Sequence, residues 1–298
     1  MKLALGSVQF GLNYGIQGGT KPSKEEVHKI LSLAIEQKIE CFDTAAAYGD
    51  AEEIIGCYRK KNPTMAKKMH VISKLSPKAL DEKPKELWKD IILKNINQSI
   101  QKLNVNELEA FLFHNAEYIF DEKAVYAMYC ASKESMVKKI GVSIYTPQEA
   151  MKALEYDEIK IIQIPYNVFD HRLDKCGFFE KATKKGVEIY ARSSMLQGLI
   201  LMKPDCLPSQ MHFAQKYLNR FLSICKEHHF SPLKAAVCYV GRHSSIDYVV
   251  FGVDNKVQLL EYLSVQEEHL PDNMAKDLWR EFENVEEKLI NPVLWNRG

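Results

Sequence analysis

Residues 139–164, "KIGVSIYTPQEAMKALEYDEIKIIQI", contain two short apolar runs on either side of a stretch with helical spacing. The runs at residues 139–143 and 161–164 have the length and uniform apolar character of strands that are buried on both faces. Thr146 is a suitable N-cap for a helix over residues 147–154, in which proline occupies the favoured first position. We therefore predict a strand-helix-strand unit with its two strands parallel.

The same alternation extends along the rest of the chain. Runs that predict strands occur eight times, at residues 3–8, 39–43, 70–74, 108–114, 139–143, 161–164, 187–191 and 247–252. Further segments with helical spacing separate them, at residues 24–35 (with Ser23 as N-cap), 92–103, 175–185 and 232–242. Eight such units close naturally into a barrel of about 250 residues.

We therefore predict an α/β protein with a single domain over residues 1–298, a (β/α)8 TIM barrel. An extra helical segment is expected at about 204–230, before the last barrel units, and another helix after Pro271. A doubly wound sheet has the same alternation, but its dinucleotide-binding form carries G-x-G-x-x-G after the first strand. The segment "GSVQFGLNYGIQGG", residues 6–19, is rich in glycine with a different spacing, which favours the barrel.

The charge balance gives no reason to expect a polyanionic partner. The 298 residues include 40 Lys and Arg and 39 Asp and Glu, a net charge of +1, so no global field attracts nucleic acid or an anionic membrane. No apolar stretch approaches the ~18 residues of a spanning helix, and "MKLALGSVQFG" reaches glycine and glutamine before a signal-length apolar core develops. We expect a cytoplasmic protein, a monomer or small homo-oligomer, without nucleic-acid or membrane partners.

The cysteines do not form a recognisable framework. There are seven, an odd number, widely spaced and without a C-x-x-C motif, and most lie in apolar segments. This pattern favours buried reduced thiols over disulfides or a zinc site, and no metal is expected.

Four polar residues coincide with the ends of neighbouring predicted strands, where parallel barrels carry their chemistry. Asp43 ends the second strand and Tyr48 follows in its loop, while Lys74 and His114 end the third and fourth. Each has a structural explanation on its own: a turn-capping aspartate, a tyrosine at the core edge, a lysine with a packed stem, a histidine that closes a strand. Together, at one rim, they favour a reaction site.

The residue types indicate proton transfer at a carbonyl oxygen. A phenol has a pKa near ~10, which is high for acid-base catalysis at neutral pH. We expect the Lys74 ammonium to lower the pKa of Tyr48, Asp43 to keep that lysine charged, and His114 to orient a substrate oxygen. A lyase or aldolase that uses Lys74 as a Schiff base is an alternative, but it needs a neutral lysine, which Asp43 disfavours.

Three motifs in order carry a resemblance to a known family: "FDTAAAYG" at 42–49, "ISKL" at 72–75 and "LFHN" at 112–115. The sequence resembles the aldo-keto reductases over essentially its whole length. The resemblance implies a TIM barrel that reduces an aldehyde or ketone to an alcohol, or the reverse, with NADP(H) or NAD(H). It also implies that Tyr48 is the general acid/base and that Asp43, Lys74 and His114 complete the tetrad.

The resemblance implies cofactor contacts as well. Ser143 and Gln163 match the residues that hold the nicotinamide carboxamide, although Ile144 stands where the family has asparagine. Arg192 stands where many members place an aromatic ring against the nicotinamide, and a planar guanidinium can stack in a similar way. Positions near the pyrophosphate and the adenosine are occupied by Ser193, Leu196, Gly198, Gly252, Val253, Asp254, Gln258, Glu261 and Tyr262.

The choice between the two nicotinamide cofactors stays open at this point. Gly252 and Gln258 stand where NADP-preferring members carry lysine and arginine, and only Lys256 remains nearby to meet a 2′-phosphate. Dual use or NAD use is therefore plausible. Candidates for the substrate pocket are Tyr14, Ala47, Trp88, Tyr145 and Tyr166.

The same barrel is compatible with a second class of function. A non-catalytic or weakly catalytic NADP(H)-binding regulatory or redox-sensing protein would keep the cofactor residues and need no complete tetrad. The four residues at 43, 48, 74 and 114 are all present, which favours the enzyme.

Overall fold

The computed structural model describes residues 1–16 and 18–295, so Gln17 and the last three residues of the domain expected over 1–298 lie outside the described residues. Eight parallel strands form a closed barrel in chain order, with β8 paired to β1. The strands are β1 Lys2–Gly6, β2 Cys41–Asp43, β3 His70–Lys74, β4 Leu108–Phe113, β5 Val137–Ser143, β6 Ile159–Pro165, β7 Glu188–Arg192 and β8 Tyr248–Gly252. The predicted TIM barrel is confirmed.

Helices alternate with these strands around the barrel. They are α1 Val8–Gly11, α2 Lys24–Glu36, α3 Ala51–Lys61, α4 Pro63–Ala66, α5 Trp88–Leu103, α6 Glu122–Lys133, α7 Pro147–Ala153, α8 Phe178–Lys185, α9 Gln215–Glu227, α10 Pro232–Gly241, α11 Lys256–Ser264, α12 Asp272–Phe282 and α13 Glu287–Ile290. Short 3₁₀ segments cover Lys85–Leu87, Ala116–Phe120, Asp174–Cys176, Leu196–Leu201, Pro204–Cys206, Ser209–Ala214 and Pro292–Leu294. The extra segments expected before the last barrel units and after Pro271 are therefore helical.

The predicted helix caps form as the sequence suggests. Ser23 accepts a hydrogen bond from the backbone N–H of Glu26 at the start of α2. At α7, Thr146 accepts from the backbone of Glu149, and the Glu149 carboxylate accepts from the backbone of Thr146, which completes a capping box.

Several element boundaries differ from the prediction by one to four residues, and two of the differences have a clear local cause. The first strand ends at Gly6 instead of residue 8, because the chain turns there into the one-turn helix α1. The helix expected over 175–185 is divided: Gly177 has a left-handed φ of 71°, which separates the short 3₁₀ turn before it from α8.

Along the barrel axis the interior changes from apolar to polar, with the polar residues nearer the C-terminal ends of the strands. A small hydrophobic cluster fills the inside of the barrel, formed by Ala4, Cys41, Ile72, Ala110, Leu112, Ile161, Tyr190 and Val250. Because side chains alternate between the two faces of a strand, the residue two positions further along also points inward. Those positions hold Asp43, Lys74, His114, Gln163 and Arg192, so the sequence-predicted polar residues form the next layer above the apolar floor.

The cysteines are all free, but fewer are buried than expected. Cys41, Cys225 and Cys238 are buried, Cys57 and Cys206 are exposed, and Cys130 and Cys176 are partly exposed. The expectation of buried thiols was therefore wrong for the exposed pair, which lie in α3 and in the 3₁₀ segment Pro204–Cys206. No helix within residues 1–16 and 18–295 is both long and apolar enough to cross a membrane.

Gly56→Ala should destabilise the fold by about 1–3 kcal/mol, because a Cβ at this position of α3 would lie 1.9 Å from the Lys102 carbonyl oxygen in α5. Urea unfolding measures the change in the free energy of unfolding. The neighbouring exposed residue supplies a matched control, Cys57→Ala, which should leave that free energy almost unchanged. Equal midpoints for the two variants would contradict the close approach of α3 and α5.

Candidate active site

A cavity of about 460 Å³ opens at the C-terminal end of the barrel and extends from β2 to the loop after β8. Of the sequence-predicted site residues, all but three line it: Asp43, Tyr48, His114, Ser143, Gln163, Arg192, Ser193, Gly198, Gly252, Asp254, Gln258, Glu261 and Tyr262. Lys74, Leu196 and Val253 do not, because their side chains are fully buried. The structure thus brings predicted site residues from six strands, β2 and β4 to β8, and from the segments that follow them, around one cavity.

A buried ion pair lies at the floor of this cavity. The Lys74 ammonium, 0% exposed, donates to the two carboxylate oxygens of Asp43 at 2.7 and 2.8 Å and to the Thr44 carbonyl oxygen at 2.9 Å. Burial lowers the pKa of Lys74, while the charge and hydrogen bonds of Asp43 act against this decrease. Three acceptors around one ammonium satisfy its donors, which is what a charge at this depth requires.

The phenol of Tyr48 lies next to this pair, but its pKa shifts in the direction opposite to our expectation. The Lys74 nitrogen is 5.2 Å from the centre of the Tyr48 ring. Burial raises the pKa of Tyr48, the Asp43 carboxylate raises it further, and Arg192 lowers it. The expectation of a lowered pKa was wrong, because burial outweighs the positive charge of Arg192 and the Asp43 carboxylate adds to the increase. Tyr48 therefore remains protonated at neutral pH, as a proton donor must.

His114 faces Tyr48 as a neutral imidazole. The two rings are perpendicular, with centroids 5.5 Å apart and an interplanar angle of 86°. Burial, followed by the charges of Lys74 and Arg192, lowers the pKa of His114 to about 3. Its Nδ1 is buried without a hydrogen-bond partner among the described residues.

The backbone of Tyr48 is held by close packing against α1. A Cβ at residue 11, the last residue of α1, would lie 1.7 Å from the Tyr48 carbonyl oxygen, so only glycine fits there. The Tyr48 N–H in turn donates to the Ala45 carbonyl oxygen at 3.0 Å, which closes the turn after β2. The turn therefore positions the phenol relative to both β1 and β2.

A chain of hydrogen bonds connects the ion pair to the far wall of the cavity. Gln163 donates from Nε2 to Asp43 Oδ1 at 2.9 Å, and the Ser143 hydroxyl donates to Gln163 Oε1 at 3.1 Å. The Arg192 Nε then donates to the Ser143 Oγ at 3.3 Å. Residues from β2, β5, β6 and β7 are thereby held in one network with the lysine of β3.

Arg192 is fixed from several directions. Besides Ser143, it donates to the Ile144 carbonyl oxygen at 2.8 Å and to the Ser193 Oγ at 3.2 Å. Its guanidinium carbon lies 4.4 Å from the centre of the Tyr145 ring, in a cation-π contact. The guanidinium plane is therefore a rigid part of the cavity wall.

The loop after β7 bends sharply and contacts the loop after β1. Ser193, Leu196 and Gln197 have φ values of 66°, 47° and 57°, in the left-handed region. The backbone N–H of Ile16 donates to the Gln197 carbonyl oxygen at 3.2 Å. The two loops thus meet beside the cavity, and both supply lining residues.

The sequence interpretation missed several lining residues directly after β1 and in the β7 loop. They are Ser7, Val8, Gln9, Ser194, Met195 and Gln197. The rule that sites lie at strand ends could have found Ser7, which directly follows β1. The Ser7 Oγ and Gln9 Oε1 are buried without a partner within residues 1–16 and 18–295, so this wall offers unused polar atoms to a ligand.

The sequence profile of the Aldo/keto reductase family matches residues 2–280. The chain belongs to the aldo/keto reductase family. A similar curated protein is the aldo-keto reductase str7 of Strobilurus tenacellus, 28% identical over 190 residues, which cover 61% of this chain and 54% of that protein. The match thus spans about half of that relative's length.

Solved aldo-keto reductase structures share the fold. The thermostable aldo-keto reductase Tm1743, solved in complex with the inhibitor epalrestat, superimposes with a TM-score of 0.68 at 22% identity and covers 93% of each chain. The protein PA4992 from Pseudomonas aeruginosa, named as an aldo-keto reductase, gives 0.64 at 18% identity over 93% of this chain and 90% of the other. At these identities the likeness supports the barrel alone.

Within this aldo-keto reductase barrel, only two of the five expected pocket residues line the cavity. Tyr14 and Tyr145 do so, whereas Ala47 does not. Trp88 is buried and donates from Nε1 to the Lys83 carbonyl oxygen, and Tyr166 lines a separate groove outside the barrel. Both pack among the helices instead: Trp88 is the first residue of α5, and Tyr166, directly after β6, contacts Phe179 of α8 and Tyr239 of α10. Among the residues that the structure describes, no group of His, Cys, Asp and Glu is arranged to hold a metal ion.

His114→Gln should make the fold less sensitive to acid. The pKa of His114 is lowered to about 3, whereas an unfolded histidine titrates near ~6.5. Over this interval the unfolded chain binds a proton that the folded chain does not, so the free energy of unfolding falls as the pH decreases through it. Glutamine does not titrate, and urea unfolding at about pH 7 and about pH 5 should show a smaller loss in the variant.

An equal loss of the free energy of unfolding in the wild-type protein and in His114→Gln, from about pH 7 to about pH 5, would contradict this prediction. The ring ¹⁵N shifts of His114, assigned by their disappearance in the variant, give a second measurement. They should report a neutral imidazole at about pH 5.

Proposed function

We propose that the protein is an NAD(P)H-dependent oxidoreductase that reduces an aldehyde or ketone to an alcohol, or catalyses the reverse reaction. One observation carries the proposal: a protonated phenol, Tyr48, faces a cavity beside a neutral histidine and a buried ammonium-carboxylate pair. Family membership over residues 2–280 supports it.

In the proposed reduction, Tyr48 donates its proton to the carbonyl oxygen of the substrate. His114, neutral and with its ring perpendicular to the phenol, is placed to hydrogen-bond the same oxygen and hold it beside Tyr48. As the proton leaves, the phenolate that forms is stabilised by the Lys74 ammonium, 5.2 Å from the ring centre. In the reverse direction the same phenolate accepts the proton of the alcohol.

The bound nicotinamide cofactor would supply the hydride, and the lining residues fit such a group. Ser143 and Gln163 present a hydroxyl and an amide for the carboxamide, and the Arg192 guanidinium offers a planar surface beside them. The unpartnered Ser7 Oγ and Gln9 Oε1 provide further polar contacts near the same wall. Ile144 is buried, so only its backbone takes part here, through Arg192.

The Schiff-base alternative has less support in this geometry. The Lys74 nitrogen makes three hydrogen bonds, two of them to a carboxylate, and its side chain has no exposed surface. A lysine nucleophile must be neutral and accessible to the carbonyl carbon.

Tyr48→Phe should lower the turnover number by a factor of ~10²–10⁴, because it removes the proton donor. The dissociation constant of the reduced cofactor should change little. Aldehyde-dependent loss of NADH or NADPH absorbance measures turnover, and cofactor fluorescence measures binding. The same substitution at an exposed tyrosine on α6, Tyr126→Phe, is the matched control and should retain full activity.

Unchanged turnover in the Tyr48→Phe variant would rule out the assigned proton donor. Cofactor binding without turnover of any aldehyde or ketone in a broad panel, by the wild-type protein, would instead favour the regulatory or redox-sensing function.

A further inference from the structure

We propose that a second site, separate from the cavity at the end of the barrel, binds a nucleoside 5′-phosphate. This outer groove, of about 510 Å³, lies between the segment after β6, the C-terminal end of α10 and α12. Small-molecule sites have volumes of about 300–1,000 Å³. The groove and the cavity share no lining residue, so this inference does not rest on the proposed function.

The first supporting observation is a group of cations along the outer groove. Arg242, Lys276 and Arg280 line it, and all three are exposed. Arg242 is paired with Asp272 at 3.0 Å, whereas Lys276 and Arg280 form no ion pair within residues 1–16 and 18–295. Residues four apart on a helix lie on the same face, so the two unpaired cations of α12 repel each other. A phosphate beside them would relieve this repulsion and accept charge-assisted hydrogen bonds.

The second observation is an aromatic ring on the same face of α12. Trp279 is partly exposed and lines the outer groove. The His171 ring is stacked parallel to it, with centroids 4.5 Å apart and an interplanar angle of 8°. His171 is held in turn by a hydrogen bond of 2.7 Å between its Nε2 and the Tyr239 hydroxyl. The indole is therefore fixed in place beside two cations, which suits a planar base that stacks on it.

The third observation is a carboxylate in the groove with an unused oxygen. Asp174 Oδ1 accepts from the Tyr166 hydroxyl at 3.3 Å and lies 3.4 Å from the His243 Nε2. Its Oδ2 is buried without a hydrogen-bond partner among the described residues, although the side chain is 16% exposed. Buried polar atoms normally have a partner. The two hydroxyls of a ribose are donors that a carboxylate accepts well.

The three features together indicate the chemical class of the ligand. A simple anion would use the cations and leave the Trp279 ring and the Asp174 oxygen without a partner. A nucleoside 5′-phosphate carries a planar base, a diol and a phosphate, one group for each feature. The three cations also outnumber the two carboxylates, Asp174 in the groove and Asp272 beside Arg242, so the groove favours a dianion.

The test is calorimetric titration of the wild-type protein at low salt with AMP, UMP and inorganic phosphate. We expect each nucleotide to bind at least about 10-fold more tightly than inorganic phosphate, because the phosphate ion makes only one of the three contacts. Added salt should weaken nucleotide binding, since the cations are exposed.

Variants assign the binding to the outer groove. Lys276→Gln and Arg280→Gln should each weaken AMP binding by about 5-fold or more, through the loss of a charge-assisted hydrogen bond. Trp279→Leu should weaken it by a similar factor, whereas Trp279→Phe, which keeps an aromatic ring, should restore most of the affinity. Lys68→Gln is the matched control: it removes an exposed lysine before β3, outside the groove, and should bind AMP as the wild type does.

The role of Asp174 is tested from the side of the ligand. The 2′,3′-dideoxy form of AMP lacks both donors and should bind the wild-type protein about 5-fold more weakly than AMP. In Asp174→Asn this ratio should fall to about 2 or less. The ratio is informative because a purely structural role of Asp174 would change the affinities for both ligands by the same factor.

The outcomes that would overturn the inference are distinct. Nucleotides that fail to bind at about 1 mM, or that bind no more tightly than inorganic phosphate, overturn the nucleoside phosphate. AMP affinity in Lys276→Gln and Arg280→Gln equal to that of Lys68→Gln places AMP elsewhere and overturns the outer groove as the site. Urea unfolding midpoints equal to that of the wild type show that the variants keep the fold. Carbonyl turnover is not measured in this test, so its failure leaves the oxidoreductase proposal intact.

Discussion

The buried ion pair between Lys74 and Asp43 is the interaction on which the rest of the site depends. An ammonium without exposed surface is tolerable only with its donors satisfied, and Asp43 supplies two of the three acceptors. The same carboxylate accepts from Gln163, and through Ser143 it is connected to Arg192. Breaking a pair of this kind typically costs about 3–5 kcal/mol, because one charge remains buried alone. The pair therefore fixes both the residues proposed to transfer the proton and the wall proposed to hold the nicotinamide.

The position of the polar layer along the barrel axis follows from strand geometry. On each contributing strand the polar residue stands two positions after an apolar residue of the inner cluster, as Lys74 follows Ile72 and Gln163 follows Ile161. Side chains two apart share a face, so the apolar floor and the polar layer are stacked within the barrel. The apolar cluster beneath the Lys74–Asp43 ion pair excludes water from that side of the pair. This burial is also what raises the pKa of Tyr48 and lowers that of His114.

Much of this arrangement can be predicted from the sequence, and the failures have a common cause. All eight strands and the four residues at 43, 48, 74 and 114 can be predicted from the sequence, because they depend on local period and on position at strand ends. The direction of the pKa shift of Tyr48 and the positions of Trp88 and Tyr166 cannot be predicted in this way, because they depend on which neighbours the folded chain brings together. The role of the Ile144 backbone as an acceptor for Arg192 is likewise a tertiary contact with no signal in its residue type.

The most direct test of the central claim is a double-mutant cycle on Asp43→Asn and Lys74→Met, with the free energy of unfolding measured by urea denaturation for all four proteins. If the pair organises the layer, each single variant should lose about 3–5 kcal/mol. The double variant should then lose less than the sum of the two by about 2 kcal/mol or more, since the isolated charge is gone. Strictly additive losses would contradict the account, because they would show that the two residues stabilise the barrel independently.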